Sequence, residues 1–172
     1  KIGFESVNSA GSFGLLSTYN AIGGRVGKFE YYAYVSKRVS NGYRDHSRSE
    51  ASAESASITY RPNEAISINA EFSHSKYLYQ LPGALNYSMF HADPKQSTRS
   101  RNYYSPDIYI PSLTLNCKLG DYTKLTWLTS AVLGTRSSVL FDRPADVVDR
   151  IDPATLQYAA RTVYIDRYNS YT

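Results

Sequence analysis

Ile66-Ser67-Ile68-Asn69-Ala70-Glu71-Phe72-Ser73 decides the fold. Apolar residues stand at 66, 68, 70 and 72, and polar ones fill every position between them. That is the period of two of a β-strand, with one apolar and one polar face. The same alternation recurs on either side. Phe29, Tyr31, Ala33 and Val35 interleave with Glu30, Tyr32, Tyr34 and Ser36, while Tyr109, Leu113, Leu115, Cys117 and Leu119 oppose Ser112, Thr114, Asn116 and Lys118. Weaker alternation runs over 2–10, 15–22, 51–61, 125–133 and 157–165. About eight strands result, most of them close to the roughly 9–11 residues of a tilted membrane strand. A helical period is missing, and no apolar run approaches the roughly 20 residues of a spanning helix. If this chain sits in a membrane, it does so as strands.

Composition favours that reading. Aromatic residues make up 14% of the 172 residues, and 17 of them are Tyr against 6 Phe and 1 Trp. With a mean hydropathy of -0.43, the chain is poorly supplied with the aliphatic residues of a soluble core. A membrane barrel needs only every second residue apolar and uses aromatics at its interfaces. A thin antiparallel sandwich is the other architecture that this composition allows. The formal net charge of +4 is spread along the chain among acidic residues, so no basic surface for nucleic acid is expected.

The connections alternate in character. Gly11-Ser12-Phe13-Gly14, Arg61-Pro62-Asn63-Glu64 and Gly120-Asp121-Tyr122 read as short turns, with Gly, Pro and Asn supplying the backbone angles. Long polar links are expected over 40–50, 77–106 and 137–155, with one short helical turn within 83–90. Short turns at one rim and long loops at the other are the habit of an outer-membrane barrel. A link as long as 77–106 is usually functional or disordered.

Catalytic and metal chemistry find little footing. His46, His74 and His91 lie far apart, without H-x-x-x-H or H-E-x-x-H spacing. His74 is read as a lumen or rim residue on the polar side of its strand. Asp142, Asp146, Asp149 and Asp152 lack the glycine and terminal Glu of a calcium loop and read as solvated acids. The single Cys117 forms no internal disulfide. Gly23-Gly24-Arg25-Val26-Gly27, read as a link between strands, lacks the Lys-Ser/Thr of a phosphate loop, and no G-x-S-x-G elbow occurs. The expectation is a non-enzyme with no catalytic residues, no metal site and no resident cofactor.

The 77–106 link carries a resemblance. It reads Gln80-Leu81-Pro82-Gly83-Ala84-Leu85, then Phe90, then Asp93-Pro94-Lys95-Gln96-Ser97-Thr98-Arg99-Ser100-Arg101-Asn102-Tyr103. This is similar to a loop of TonB-dependent receptors of the ferric citrate type, Q-x-P-G-x-L followed by F, D-P-x-x-S and R-x-R-N. Gly11-Ser12-Phe13-Gly14, Phe29-Glu30-Tyr31-Tyr32-Ala33, Gly42-Tyr43-Arg44 with Ser47, Tyr109-Ile110-Pro111-Ser112-Leu113-Thr114-Leu115 and Phe141-Asp142-Arg143-Pro144 resemble the same barrels in order. Leu81 and Ala84 depart from the pattern, which has Gln and Gly there.

The resemblance implies a fold class and a function. The fold is all-β, an antiparallel meander forming a partial segment of a large transmembrane β-barrel, with residues 1–172 in that single barrel domain. The chain starts at Lys1 and its only Met is Met89, so the N-terminal plug and the remaining strands are expected to lie outside it. The implied function is uptake of an iron chelate, ferric citrate or another ferric siderophore, across the outer membrane of a Gram-negative bacterium. Outer-membrane lipid and, through the missing N-terminal region, the TonB complex are the implied partners. Arginine suits the chelate because its planar fork stays charged and grips carboxylates with two parallel bonds. Arg99, Arg101, Arg136 and Arg143 are the candidate ligand-binding residues, with Arg99 and Arg101 equally suited to pinning the long loop. The competing expectations are a soluble all-β binding module using Tyr and Trp127 as sugar platforms, and a complete eight-stranded barrel.

Overall fold

Residues 2–141, 143–149 and 164–171 are described by the computed structural model, the last segment as backbone only. Its strands are β1 (Ile2–Gly11), β2 (Leu15–Val26), β3 (Phe29–Ser40), β4 (Ser49–Tyr60), β5 (Ile66–Gln80), β6 (Tyr103–Lys118), β7 (Lys124–Ser130), β8 (Leu133–Leu140) and β9 (Tyr164–Tyr171), with one helix, α1 (Tyr87–Ala92). The described strands form one sheet in which each of β1 to β6 pairs antiparallel with the next, β6 also pairs antiparallel with both β7 and β8, and β8 with β9. The meander is the one expected from the alternating pattern and short turns.

β7 and β8 are two halves of one strand. Both pair with β6 in the same register, from Lys118↔Lys124 at one end to Tyr103↔Val139 at the other. The break falls beside Pro111, whose carbonyl accepts from Ala131 N at 3.1 Å. Proline has no N–H to return the bond, so one rung is missing. This explains why nine segments make the eight-strand path that the sequence suggests.

Several boundaries differ from expectation. β5 runs on to Gln80 and β6 starts at Tyr103, so the long loop is 81–102; Tyr77 and Tyr79 extend the strand, as tyrosine favours pleated structure. Ser137 and Ser138 pair with Ser105 and Tyr104, so β8 occupies ground expected to be loop. Gly23 and Gly24 lie inside β2, and the turn follows at Gly27, where φ is +58°. The 12–14 turn stands on the same rim as loops 41–48 and 81–102, so that rim holds one short connection among the long ones. The helical turn expected within 83–90 sits slightly later, with the Asn86 side chain accepting from Met89 N at 2.9 Å as its cap. Of the strand expected over 157–165, residues 157–163 lie outside the described residues.

The register sorts side chains onto two faces. Phe29, Tyr31, Val35, Ile66, Ile68, Phe72, Leu113 and Leu115 share one, and Glu30, Ser67, Asn69, Glu71, Thr114 and Asn116 share the other. Followed across the strands, the Ile68 face forms rows. Phe4, Ile22, Ala33, Ala56, Phe72 and Pro111 make one, and Ile2, Gly24, Tyr31, Ile58, Ala70, Leu113 and Thr129 make the next. Below them come Val26, Phe29, Tyr60, Ile68, Leu115 and Trp127, then Ile66, Cys117 and Leu125. No charge occurs in these rows, yet most of their large side chains are exposed, Phe4 at 73% and Trp127 at 59%.

The rows nearer the loop rim change character at once. Ser6, Asn20, Val35, Glu54, His74 and Tyr109 form the first, and Asn8, Thr18, Lys37, Ser52, Lys76 and Asp107 the second. His74 therefore shares the Ile68 face, contrary to its expected place on the polar side; an even number puts it in phase with Phe72. Its ring stacks on Tyr109 with centroids 4.2 Å apart, and its nitrogens lie 2.8 Å from Asp107 Oδ1 and 3.4 Å from Glu54 Oε2.

Candidate functional site

Apart from Ala21 on β2 and Pro106 on β6, the buried side chains among the described residues gather in the loops at one rim. Thr98, Arg99, Asn102, Phe141 and Asp149 are each 4% exposed or less. Loop 81–102 folds back on itself at Gly83, where φ is +77°. Thr98 N donates to Pro82 O at 3.0 Å, and Thr98 Oγ1 to Ala84 O at 3.0 Å. A Cβ at position 83 would lie 2.5 Å from Thr98 Oγ1 and 2.6 Å from Arg99 Cγ, so glycine is required there.

That fold aims Arg99 into segment 141–149. Its Nε donates to Phe141 O at 3.0 Å, and Nη1 to Val147 O at 2.8 Å and Thr98 O at 2.9 Å. Nη2 donates to the carbonyls of Arg143 and, at 3.3 Å, Pro144. The guanidinium also lies 5.0 Å from the centre of the Phe141 ring. Two residues on, Arg101 closes on Asp149, which also accepts from Ser100 Oγ at its carbonyl at 2.7 Å. Asn102 completes the joint by accepting from Phe141 N at 2.8 Å.

A second arginine ties loop 81–102 to loop 41–48. Arg44 donates from Nη1 to Gly83 O at 2.7 Å, and from Nη2 and Nε to Gln96 O at 2.9 and 3.1 Å. His46 Nε2 meets Asn102 O at 2.8 Å, and Asp45 N donates to Lys95 O at 2.8 Å. Loop 41–48 in turn touches the 12–14 turn through Asn41 N to Phe13 O, 2.8 Å. The rim loops thus form a connected block with loop 81–102 at its centre.

Of the four candidate arginines, three meet in this block. Arg99 is buried against carbonyls, Arg101 is held by Asp149, and Arg143 is exposed on the segment that Arg99 grips. Arg136 stands apart on β8, in phase with the Glu71 face, with its guanidinium 6.0 Å from the centre of the Tyr104 ring. It lines a cavity of about 310 Å³ with Leu81, Tyr103, Tyr104, Ser138, Val139 and Leu140. Asp149 is buried, not a solvated loop acid; Arg101 and Ser100 supply what water otherwise would. Asp146 is exposed as expected, and Asp142 and Asp152 lie outside the described residues. The sequence reading passed over Thr98, Asn102 and Asp149 as members of the joint. The D-P-x-x-S and R-x-R-N spacing was the one signal that this stretch is constrained.

The comparisons bear on the fold. No protein-family model matches the chain, and no curated protein matches it in sequence. Among solved structures, it is similar to the ferric citrate transporter FecA in its unliganded form, with a TM-score of 0.70 at 20% identity. The chain is part of a β-barrel wall. The match covers 83% of this chain and 22% of FecA, so the meander corresponds to a minority of the longer protein. At this identity the likeness is one of fold.

Proposed function

We propose that this chain is part of the barrel of an outer-membrane transporter that binds a ferric chelate at its loop rim and imports it with TonB-coupled energy. The observation that carries the reading is the uncharged belt of the Ile68 face. Its rows span about 20 Å along β5 at roughly 3.3 Å per residue, which at the tilt of such strands covers about 15 Å of an apolar band about 25 Å tall. Charged rows bound it on the loop side. At the same height the opposite face carries Glu5, Arg25, Glu30, Glu71 and Lys124, which suits a wet lumen. A soluble sandwich, the competing reading, needs a second sheet over the apolar rows, and the described strands all lie in one sheet.

In this reading the plug and the other strands belong to the same protein outside this chain. Lipid of the outer membrane covers the belt, and the TonB complex acts through the missing N-terminal region. The ligand is an anionic ferric chelate, with ferric citrate suggested by the likeness to FecA. Arg143, exposed on the rim, and Arg136, beside Tyr104, are the proposed contacts, while Arg99 and Arg101 hold the loops that present them. The experiment is binding of ferric citrate and other ferric carboxylates to the whole receptor carrying Ala at each arginine in turn, with abundance measured separately. Loss of a charged hydrogen bond at Arg136 or Arg143 should cost about 1.5–3 kcal/mol. If none of the four variants alters binding of any ferric carboxylate, the ligand class is wrong.

A further inference from the structure

Every bond from Arg99 to segment 141–147 ends on a main-chain carbonyl: Phe141, Arg143, Pro144 and Val147. Apart from the Phe141 ring that its guanidinium faces, the grip therefore does not read the side chains of that segment. Both ends are also fixed, Phe141 at 1% exposure and Asp149 at 2%. Between these anchors Arg143, Pro144, Asp146 and Val147 are exposed. A turn closes the middle, with Val147 N donating to Pro144 O at 3.1 Å. The backbone is held through its carbonyls while these four residues stay exposed and Ala145 and Val148 are half-buried.

We infer that residues 143–148 are the specificity segment of the rim, a display whose backbone is set by Arg99 and Asp149 and whose side chains select the chelate. The inference rests on the chelate-uptake reading and deepens it. Arg143 supplies positive charge to a carboxylate-bearing chelate, Asp146 repels or hydrogen-bonds according to the charge it meets, and Val147 offers apolar contact. Discrimination then comes from changing these three without disturbing the block. Arg99 and Asp149 are positioning residues.

The test uses the whole receptor with Arg143→Glu, Asp146→Lys and Val147→Ser combined, and separately with Asp149→Asn. Binding of ferric citrate, a ferric catecholate and a ferric hydroxamate is measured beside amide exchange at 98–102 and 143–149. The triple variant should change the ratio of affinities among the three probes at least tenfold, with exchange at 98–102 unchanged. Asp149→Asn should raise exchange at 98–102. Unchanged ratios in a receptor that binds a probe overturn the inference and leave chelate uptake standing. A loss of protection at 98–102 in the triple variant overturns it as well, because the hold then depends on the displayed side chains. Failure of the unaltered receptor to bind any of the probes removes the chelate reading, and the selective role with it.

Discussion

The guanidinium of Arg101 closes on the carboxylate of Asp149, with Nη2 to Oδ1 at 2.6 Å and Nε to Oδ2 at 3.0 Å. The Asp149 side chain is wholly buried and that of Arg101 is 23% exposed. A two-pronged pair of this kind fixes distance and angle together. Removing one partner from a buried pair leaves an uncompensated charge and commonly costs about 3–5 kcal/mol. Arg101→Ala should therefore loosen segment 143–149, seen as faster amide exchange there, and Arg101→Ala with Asp149→Asn should recover part of the loss. Equal exchange in Arg101→Ala and the unsubstituted protein would show that the pair does not hold the segment.

Gly83→Ala places a methyl group where Thr98 Oγ1 lies 2.5 Å away and forces a left-handed backbone on an L side chain. The conformation alone costs about 1–2 kcal/mol, and the clash adds to it. Loop 81–102 should lose protection, together with the Arg44 contacts to Gly83 and Gln96. Gly27→Ala, with the same sign of φ but nothing within 4 Å of a Cβ, should lose the backbone contribution alone. The difference between the two in thermal unfolding measures the clash.

Ile68 and Asn69 are neighbours in sequence on opposite faces of β5. Arginine at Ile68 should hinder assembly into the outer membrane by about 2–4 kcal/mol if that row lies near mid-bilayer. In the proposed transporter the same change at Asn69 would meet a wet lumen and should cost far less. The measurement is the fraction of receptor that becomes folded and protease-resistant in membranes. Equal defects at the two positions would refute the assignment of faces.

His74 holds Asp107 and Glu54 through its two ring nitrogens and stacks on the Tyr109 ring. His74→Phe keeps a ring over Tyr109 and removes both polar contacts, whereas His74→Ala removes all three. The thermal midpoint should therefore fall less in His74→Phe than in His74→Ala. Equal losses in the two variants would show that the stack contributes nothing.

The sheet was legible because its information is local. Ile66, Ile68, Ala70 and Phe72 carry the apolar face in a single stretch, and the same alternation in 29–36 and 112–119 fixes the neighbours. The loop joint was not legible in the same way. Arg99 bonds to carbonyls 42 to 48 positions away, and carbonyls are common to every residue, so nothing in 141–147 announces the contact. Asp149 looked like one of four similar acids until its burial beside Arg101 distinguished it. His74 was misplaced by a simple slip of phase, and the split between β7 and β8 arises from Pro111 on a neighbouring strand.

Pro111 also shapes how the wall deforms. A curved sheet resists flattening through its ladder bonds, and the missing rung between Pro111 and Ala131 lowers the bending stiffness along that line. Pro106, five residues earlier, has its nitrogen turned toward β5 because alternate residues of a strand bond to opposite neighbours. The two prolines therefore weaken β6 on both sides, at different heights, Pro106 toward the loop block and Pro111 level with Phe72. A load applied to that block passes down β6 through two softened lines, and the lower of them lies in the uncharged belt itself, so the belt yields first where it meets Pro111.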